Sequence, residues 1–127
     1  MPLVLLDYDP NFVPSSLAGV LAKALPLMVA DALYVDEEED GRLTEDDIEV
    51  RVRPHGPLDV GTMPLQITIF ANEFPARAEN LADRRAEICA KVRGYLGAYS
   101  EIPFTNAPKG ERGFVWVLLC PASFETF

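Results

Sequence analysis

The spacing of apolar residues along the chain predicts four strands and two helices. Short apolar runs, or strict alternation of apolar and polar residues, mark the strands, which are residues 2–7, 48–53, 65–71 and 113–119. Apolar residues at helical intervals mark the helices, which are residues 17–34 and 77–99. Pro26 lies inside the first helical pattern, where a proline is expected to kink or break the helix.

The order strand–helix–strand occurs twice, and a Pro-Leu pair opens the first strand of each unit. We therefore interpret the chain as one domain, 1–127, built from pseudo-repeats of about 1–63 and 64–127. Each unit is expected to be a right-handed parallel crossover. Two such units side by side predict an α+β fold, with a four-stranded mixed sheet and both helices on one face.

The face of this sheet without helices is also predicted to be apolar. In segment 65–71 both sets of alternating positions carry few polar residues, since Thr68 and Phe70 alternate with Ile67 and Ile69. An uncovered apolar sheet face of this kind favours association between copies of the chain.

The composition is globular, with 49% hydrophobic and 24% charged residues and a formal net charge of −9. Segment 36–49 holds nine of the 20 acidic residues, and Arg42 is the only basic residue in it. The rest of the chain is nearly neutral. The negative charge argues against nucleic acid and an anionic membrane as partners.

The acidic segment 36–47 partly follows a calcium-binding loop, with acids at positions 1, 3, 5 and 12 and glycine at position 6. Its last position is Asp47 rather than a longer glutamate, position 7 is Arg42, and the pattern that follows is a strand. We therefore favour a solvated acidic loop over a calcium site and predict no metal.

The two cysteines and the N-terminal sequence indicate a cytoplasmic protein. Cys89 and Cys120 are far apart and form no metal-binding spacing, so we expect two reduced, buried thiols. His55 lies in a Pro/Gly turn and is expected to be solvated. No secretory signal is evident, and the longest apolar stretch, 17–35, is interrupted by Lys23 and Asp31, so we expect no membrane span.

Pro2 is the most specific chemical signal. Methionine before a small residue such as proline is normally removed, which leaves a secondary amine at the start of a buried strand. Burial and nearby guanidinium groups disfavour the protonated amine, so such a nitrogen is suited to act as a base near neutral pH. If Met1 is retained, the nitrogen is a tertiary amide and cannot do so. The alternative is an ordinary second residue.

Arg51 and Arg53 are expected to share one face of the strand at 48–53. Two guanidinium groups on one face are suited to binding a carboxylate or dicarboxylate. The alternative is a solvated face paired with the acidic segment.

The chain resembles the tautomerase superfamily, whose members use an N-terminal proline, and it looks nearest to the 5-carboxymethyl-2-hydroxymuconate isomerase family. The resemblance rests on Pro2, on Leu17-Ala18-Gly19-Val20-Leu21-Ala22-Lys23-Ala24-Leu25-Pro26, and on Arg51-Val52-Arg53. The duplicated layout covers nearly the whole chain, whereas the residue-level match lies mostly in the first half. The acidic insertion between Val35 and Ile48 departs from the family pattern.

The resemblance implies a homotrimer of duplicated β-α-β chains that uses no cofactor. Pro2 would be the base that moves a proton in a small, anionic, unsaturated 2-hydroxy or 2-keto acid. Arg51 would bind the substrate carboxylate, with Arg53 behind it. Two alternative functions stay open, namely a relative of the hydratase or dehalogenase type and a non-catalytic trimeric binding protein. The structural alternative to the trimer is a two-layer α+β dimer.

Overall fold

In a computed structural model of the chain, which describes residues 2–98, 113–121 and 126–127, four strands form one sheet. The strands are β1 (Leu3–Tyr8), β2 (Glu49–Pro54), β3 (Leu65–Asn72) and β4 (Gly113–Cys120). The helices are α1 (Ser15–Leu33), α2 (Pro75–Glu79) and α3 (Leu81–Ala98). The four strand predictions are confirmed to within one residue at each end.

The strands lie in the order β2-β1-β3-β4. β1 is parallel to β2 and β3 is parallel to β4, whereas the central pair β1 and β3 is antiparallel. Each helical crossover thus joins a parallel pair, and the two β-α-β units meet along the antiparallel centre. The predicted α+β fold with a four-stranded mixed sheet is confirmed, while the exact repeat boundary near residue 63 stays a prediction.

The helices cover one face of the sheet, where alternate residues of the central strands are buried. Val4, Leu6, Ile67 and Ile69 are each 0% exposed. They belong to one core cluster together with buried residues of α1 and α3. Each such aliphatic side chain contributes about 1.5–3 kcal/mol when fully buried, so this layer provides most of the stability of the fold.

Of the two outcomes expected at Pro26, a kink or a break, the break is wrong, because the first helix continues through Pro26. A proline nitrogen has no hydrogen to donate to the carbonyl four residues earlier. Leu25 and Val29, on either side of Pro26, are fully buried. Their packing on the sheet holds the helix together across the missing bond. By length and composition alone, α1 is also long and apolar enough to cross a membrane, but half of its most apolar stretch is buried inside the fold.

The second helical segment is divided at Asn80, which lies outside helical geometry between α2 and α3. Within the predicted segment 77–99, Ile88 and Val92 are buried as expected. Tyr95 is 37% exposed, so it lies at the edge of the apolar face of the helix. Tyr99 lies outside the described residues.

The opposite face of the sheet carries no helix and combines an apolar area with a charged corner. The apolar residues belong to β1, β3 and β4 and are Leu3, Leu5, Phe70, Phe114, Trp116 and Leu118. Trp116 is 58% exposed. The charged corner lies on β2, where Arg51 is opposite Leu5 and Arg53 is opposite Asp7. We call this surface the open face.

The acidic segment forms two short 3-10 turns, Glu39–Gly41 and Glu45–Asp47. Gly41 is buried because it packs on Val35, whose N–H donates to the Gly41 carbonyl at 2.8 Å. An added Cβ at Gly41 would lie 2.7 Å from the Cβ of Val35, so no larger residue fits unless the turn moves. The described residues contain no group of three or more potential ligands that could hold a metal ion. Most of the segment is exposed, as expected for a solvated loop, and the absence of a bound metal stays a prediction.

Candidate active site

Pro2 is buried immediately before β1. Its carbonyl accepts a hydrogen bond from the N–H of Glu49 at 3.1 Å. The register of the sheet, continued by one residue, places Pro2 beside Ile48 and opposite Ala71. Ile48 and Ala71 are both apolar and buried. The residue with the most specific predicted chemistry therefore lies in an apolar setting.

The two arginines from the sequence prediction lie further along β2 than Pro2. Counted along the chain from Ile48, which lies beside Pro2, Arg51 is three positions and Arg53 five positions further on. At about 3.3 Å per residue, these offsets correspond to about 10 Å and about 16 Å along the strand. A single copy of the chain therefore does not bring either arginine next to Pro2.

The two arginines also differ in what they bind. Arg53 forms a two-point ion pair with Asp7 on the neighbouring strand, with Nε to Oδ1 at 2.9 Å and Nη2 to Oδ2 at 3.2 Å. The hydrogen bond from Asp7 and its negative charge raise the pKa of Arg53 above its ordinary value. Arg51 donates only through Nε, to Glu49 at 2.8 Å. Within the described residues, both terminal amino groups of Arg51 lack a partner, so Arg51 is the better placed of the two to bind an external anion.

A buried arginine that the sequence interpretation missed lies at the same end of the sheet as Pro2. Arg77, in α2, is 1% exposed. Its Nε and Nη2 donate to the carbonyl of Leu33 at 2.9 and 2.7 Å, and its Nη1 donates to the carbonyl of Asn72 at 2.7 Å. Asn72 follows Ala71, the residue opposite Pro2. The chain therefore holds a buried guanidinium close to the level of Pro2.

The charge of Arg77 is balanced by carbonyl oxygens and by the ring of Phe74, whose centroid is 5.0 Å from its guanidinium carbon. Burial, and to a lesser extent the nearby charge of Arg84, lower the pKa of Arg77 to about 10. Arg77 is nevertheless a cation at neutral pH.

Arg84 also binds carbonyl groups at the carboxyl end of α1. Its Nη1 donates to the carbonyls of Ala32 and Tyr34 at 3.1 and 2.7 Å. The last turn of α1 contains no basic residue of its own. Arg77 and Arg84 together satisfy carbonyls that the end of α1 leaves without helical partners. In the sequence, Arg77 is marked only by a Phe-Pro-Ala-Arg run that begins two residues after β3, and this run matches no general motif.

His55 differs from its prediction as a solvated turn residue. Its backbone N–H donates to the carbonyl of Tyr8 at 2.7 Å. Both ring nitrogens are shielded from solvent, and neither has a hydrogen-bond partner in the described part of the chain. His55 lies beyond the far end of β2, away from Pro2.

Comparison with known proteins identifies the fold. No protein-family model matches the chain, and no curated protein sequence matches it. Solved structures do match. A malonate semialdehyde decarboxylase has a TM-score of 0.59 at 12% identity, covering 98% of this chain and 89% of that one.

A fused 4-OT, described as a wild-type symmetric trimer, has a TM-score of 0.56 at 14% identity, covering 94% of this chain and 85% of that one. The macrophage migration inhibitory factor from Oncomelania hupensis has a TM-score of 0.54 at 15% identity, covering 98% and 92%. At these identities the comparison shows that the chain shares the fold of these proteins.

Proposed function

We propose that the chain is a member of the tautomerase superfamily and a cofactor-independent isomerase. Its reaction is the movement of a proton in a small unsaturated 2-hydroxy or 2-keto acid. The observation that carries the proposal is Pro2, which lies buried at the start of the first strand of a chain with this fold. The narrower assignment to 5-carboxymethyl-2-hydroxymuconate isomerases is part of the same proposal and rests on the sequence resemblance.

The base in this mechanism is the nitrogen of Pro2 after removal of Met1. A terminal α-amino group ordinarily has a pKa of about 7.7–8.0. Apolar surroundings and the buried cation of Arg77 both favour the neutral amine. The neutral nitrogen takes a proton from the substrate and returns it to another carbon of the conjugated system. The same nitrogen serves as base and then as acid, so no other proton carrier is needed.

The substrate carboxylate is bound by Arg51, whose terminal amino groups are available on the open face. Because Arg51 lies about 10 Å along the strand from the level of Pro2, the two residues that form one site come from different copies of the chain. The apolar part of the open face, including the exposed Trp116, is the surface through which we expect three copies to associate. The fused 4-OT trimer has the same fold and supports this assembly.

Loss of Arg51 is expected to weaken substrate binding far more than loss of Arg53. Arg51→Gln should lower kcat/KM by about 10- to 100-fold, since a hydrogen bond to a charged group contributes about 1.5–3 kcal/mol. Arg53→Gln should change kcat/KM by no more than about threefold, because Asp7 already occupies that guanidinium. Steady-state kinetics on a panel of enol and keto acids measures both effects. Equal losses in the two variants would contradict the assignment.

A site shared between copies predicts that two impaired variants restore each other. Pro2→Ala impairs the base of one copy, and Arg51→Gln removes the carboxylate-binding group from another. Co-expression with two different affinity tags, followed by purification of the mixed assembly, should give a higher kcat/KM than either variant has alone. Mixed assemblies that form but are no more active than the single variants would show that the two residues do not act across an interface.

A hydratase reaction is the second candidate, favoured by the similarity to a malonate semialdehyde decarboxylase described with decarboxylase and hydratase activities. That chemistry requires an additional group to activate water. Mass spectrometry of the product distinguishes the two reactions, because hydration adds the mass of one water molecule and isomerisation leaves the mass unchanged. If the processed chain binds these acids without converting them, the remaining interpretation is a trimeric binding protein.

A further inference from the structure

The helix layer contains a groove that the proposed chemistry does not use. It lies between α1 and α3 on the side away from the sheet and has a volume of about 450 Å³. Leu27 and Met28 line it from α1, and Gly94 and Tyr95 line it from α3. Leu27 is 53% and Tyr95 37% exposed. The size and the mostly apolar lining match sites that take small molecules.

Two charged residues line the groove, and they differ in whether they already form an ion pair. Lys91 is paired with Glu87 one turn earlier on α3, with Nζ to Oε1 at 3.2 Å. Asp31 is exposed and forms no ion pair with the described residues. The groove therefore offers one uncompensated negative charge beside an apolar surface. The net charge of −9 on the whole chain adds to the attraction for a cation.

We propose that this groove binds a small organic cation, an ammonium group carried on an aryl or alkyl body. The ammonium pairs with the carboxylate of Asp31, and the ring of Tyr95 provides a second favourable surface for a cation. Leu27 and Met28 pack against the aryl or alkyl part of the ligand. Anions of the same size are disfavoured, because Lys91, the one basic residue among the described residues that line the groove, is already paired with Glu87.

The glycine at the groove allows a direct test that keeps the fold. A Cβ added at Gly94 meets no atom within 4 Å, and the same holds for Gly97 in the next turn of α3. Gly94 lines the groove, whereas Gly97 does not. Replacing either glycine by leucine raises helix propensity, so both variants are expected to fold. Gly94→Leu fills the groove, and Gly97→Leu is its matched control.

The experiment is a titration of the full chain with phenethylammonium, followed by NMR chemical shifts, with phenylacetate as the anion of similar size. The wild type should bind the ammonium at least tenfold more tightly than the anion. Gly94→Leu should abolish binding, and Gly97→Leu should leave it unchanged. Asp31→Asn should weaken binding by about fivefold. Asp46→Asn, an equal charge change in the acidic segment, should alter it less than twofold.

Two results would overturn the proposal, namely equal binding of the ammonium and the anion, or undiminished binding by Gly94→Leu. The titration does not depend on catalysis. A chain that binds the ammonium but has no isomerase activity would refute the proposed function alone, and an active chain with no binding would refute the groove site alone.

Discussion

Replacement of Pro2 by alanine, or retention of a residue in front of it, is expected to lower kcat by about 10²- to 10⁴-fold, the usual contribution of a general base. A retained residue converts the amine to an amide, which has no basic lone pair. Alanine keeps an amine but loses the ring that fixes the nitrogen at the start of β1. Conversion of the enol acid to the keto acid, followed by ultraviolet absorbance, measures the loss.

Pro64→Ala is the matched control for Pro2. Pro64 precedes β3 as Pro2 precedes β1, and it is likewise buried. Its nitrogen lies within the chain as an amide and cannot act as a base. The control variant should keep kcat within about threefold of the wild type. Similar losses at the two prolines would mean that both act only through the fold.

Arg77→Met is expected to reduce the free energy of unfolding by about 3 kcal/mol. Methionine fills part of the apolar volume, but it leaves the buried carbonyl of Leu33 and the partly buried carbonyl of Asn72 without their donors. Each buried carbonyl that loses its partner costs about 1–3 kcal/mol. Part of this loss is offset because the variant no longer buries a cation. In thermal unfolding, the change corresponds to a fall in Tm of about 10 °C.

Arg85→Met is the control for this substitution. Arg85 is exposed and makes no hydrogen bond with the described residues. Surface substitutions of this kind usually change stability by less than about 0.5 kcal/mol. An Arg77 variant as stable as the Arg85 variant would show that the guanidinium is not required to hold the end of α1.

The fold could be predicted from the sequence because its strands follow simple patterns. Segment 48–53 alternates strictly, and the other strands are short apolar runs between turn residues. The parallel pairing within each unit then follows from the right-handed crossover, whereas the central pairing of β1 with β3 is known only from the structure. α1 does not break at Pro26, because its packing on the sheet outweighs the hydrogen bond that proline cannot make.

The candidate site could be predicted less completely. The shared face of Arg51 and Arg53 follows from alternation, but their separation from Pro2 depends on strand register, which is a three-dimensional property. The ion pair between Arg53 and Asp7 joins residues that are 46 positions apart in the sequence. Arg77 was missed because a charged residue is expected at the surface, and only the fold shows that it lies over the end of α1.

The state of the Pro2 nitrogen tests the central claim most directly. A processed chain with Cys89→Ser and Cys120→Ser, which removes the two competing thiols, is treated near pH 7 with an α-halo keto acid and analysed by mass spectrometry. We predict one adduct per chain, on the nitrogen of Pro2, formed in step with the loss of isomerase activity and slowed by substrate. An active chain whose Pro2 nitrogen stays unmodified, or inactivation through another residue, would contradict the account.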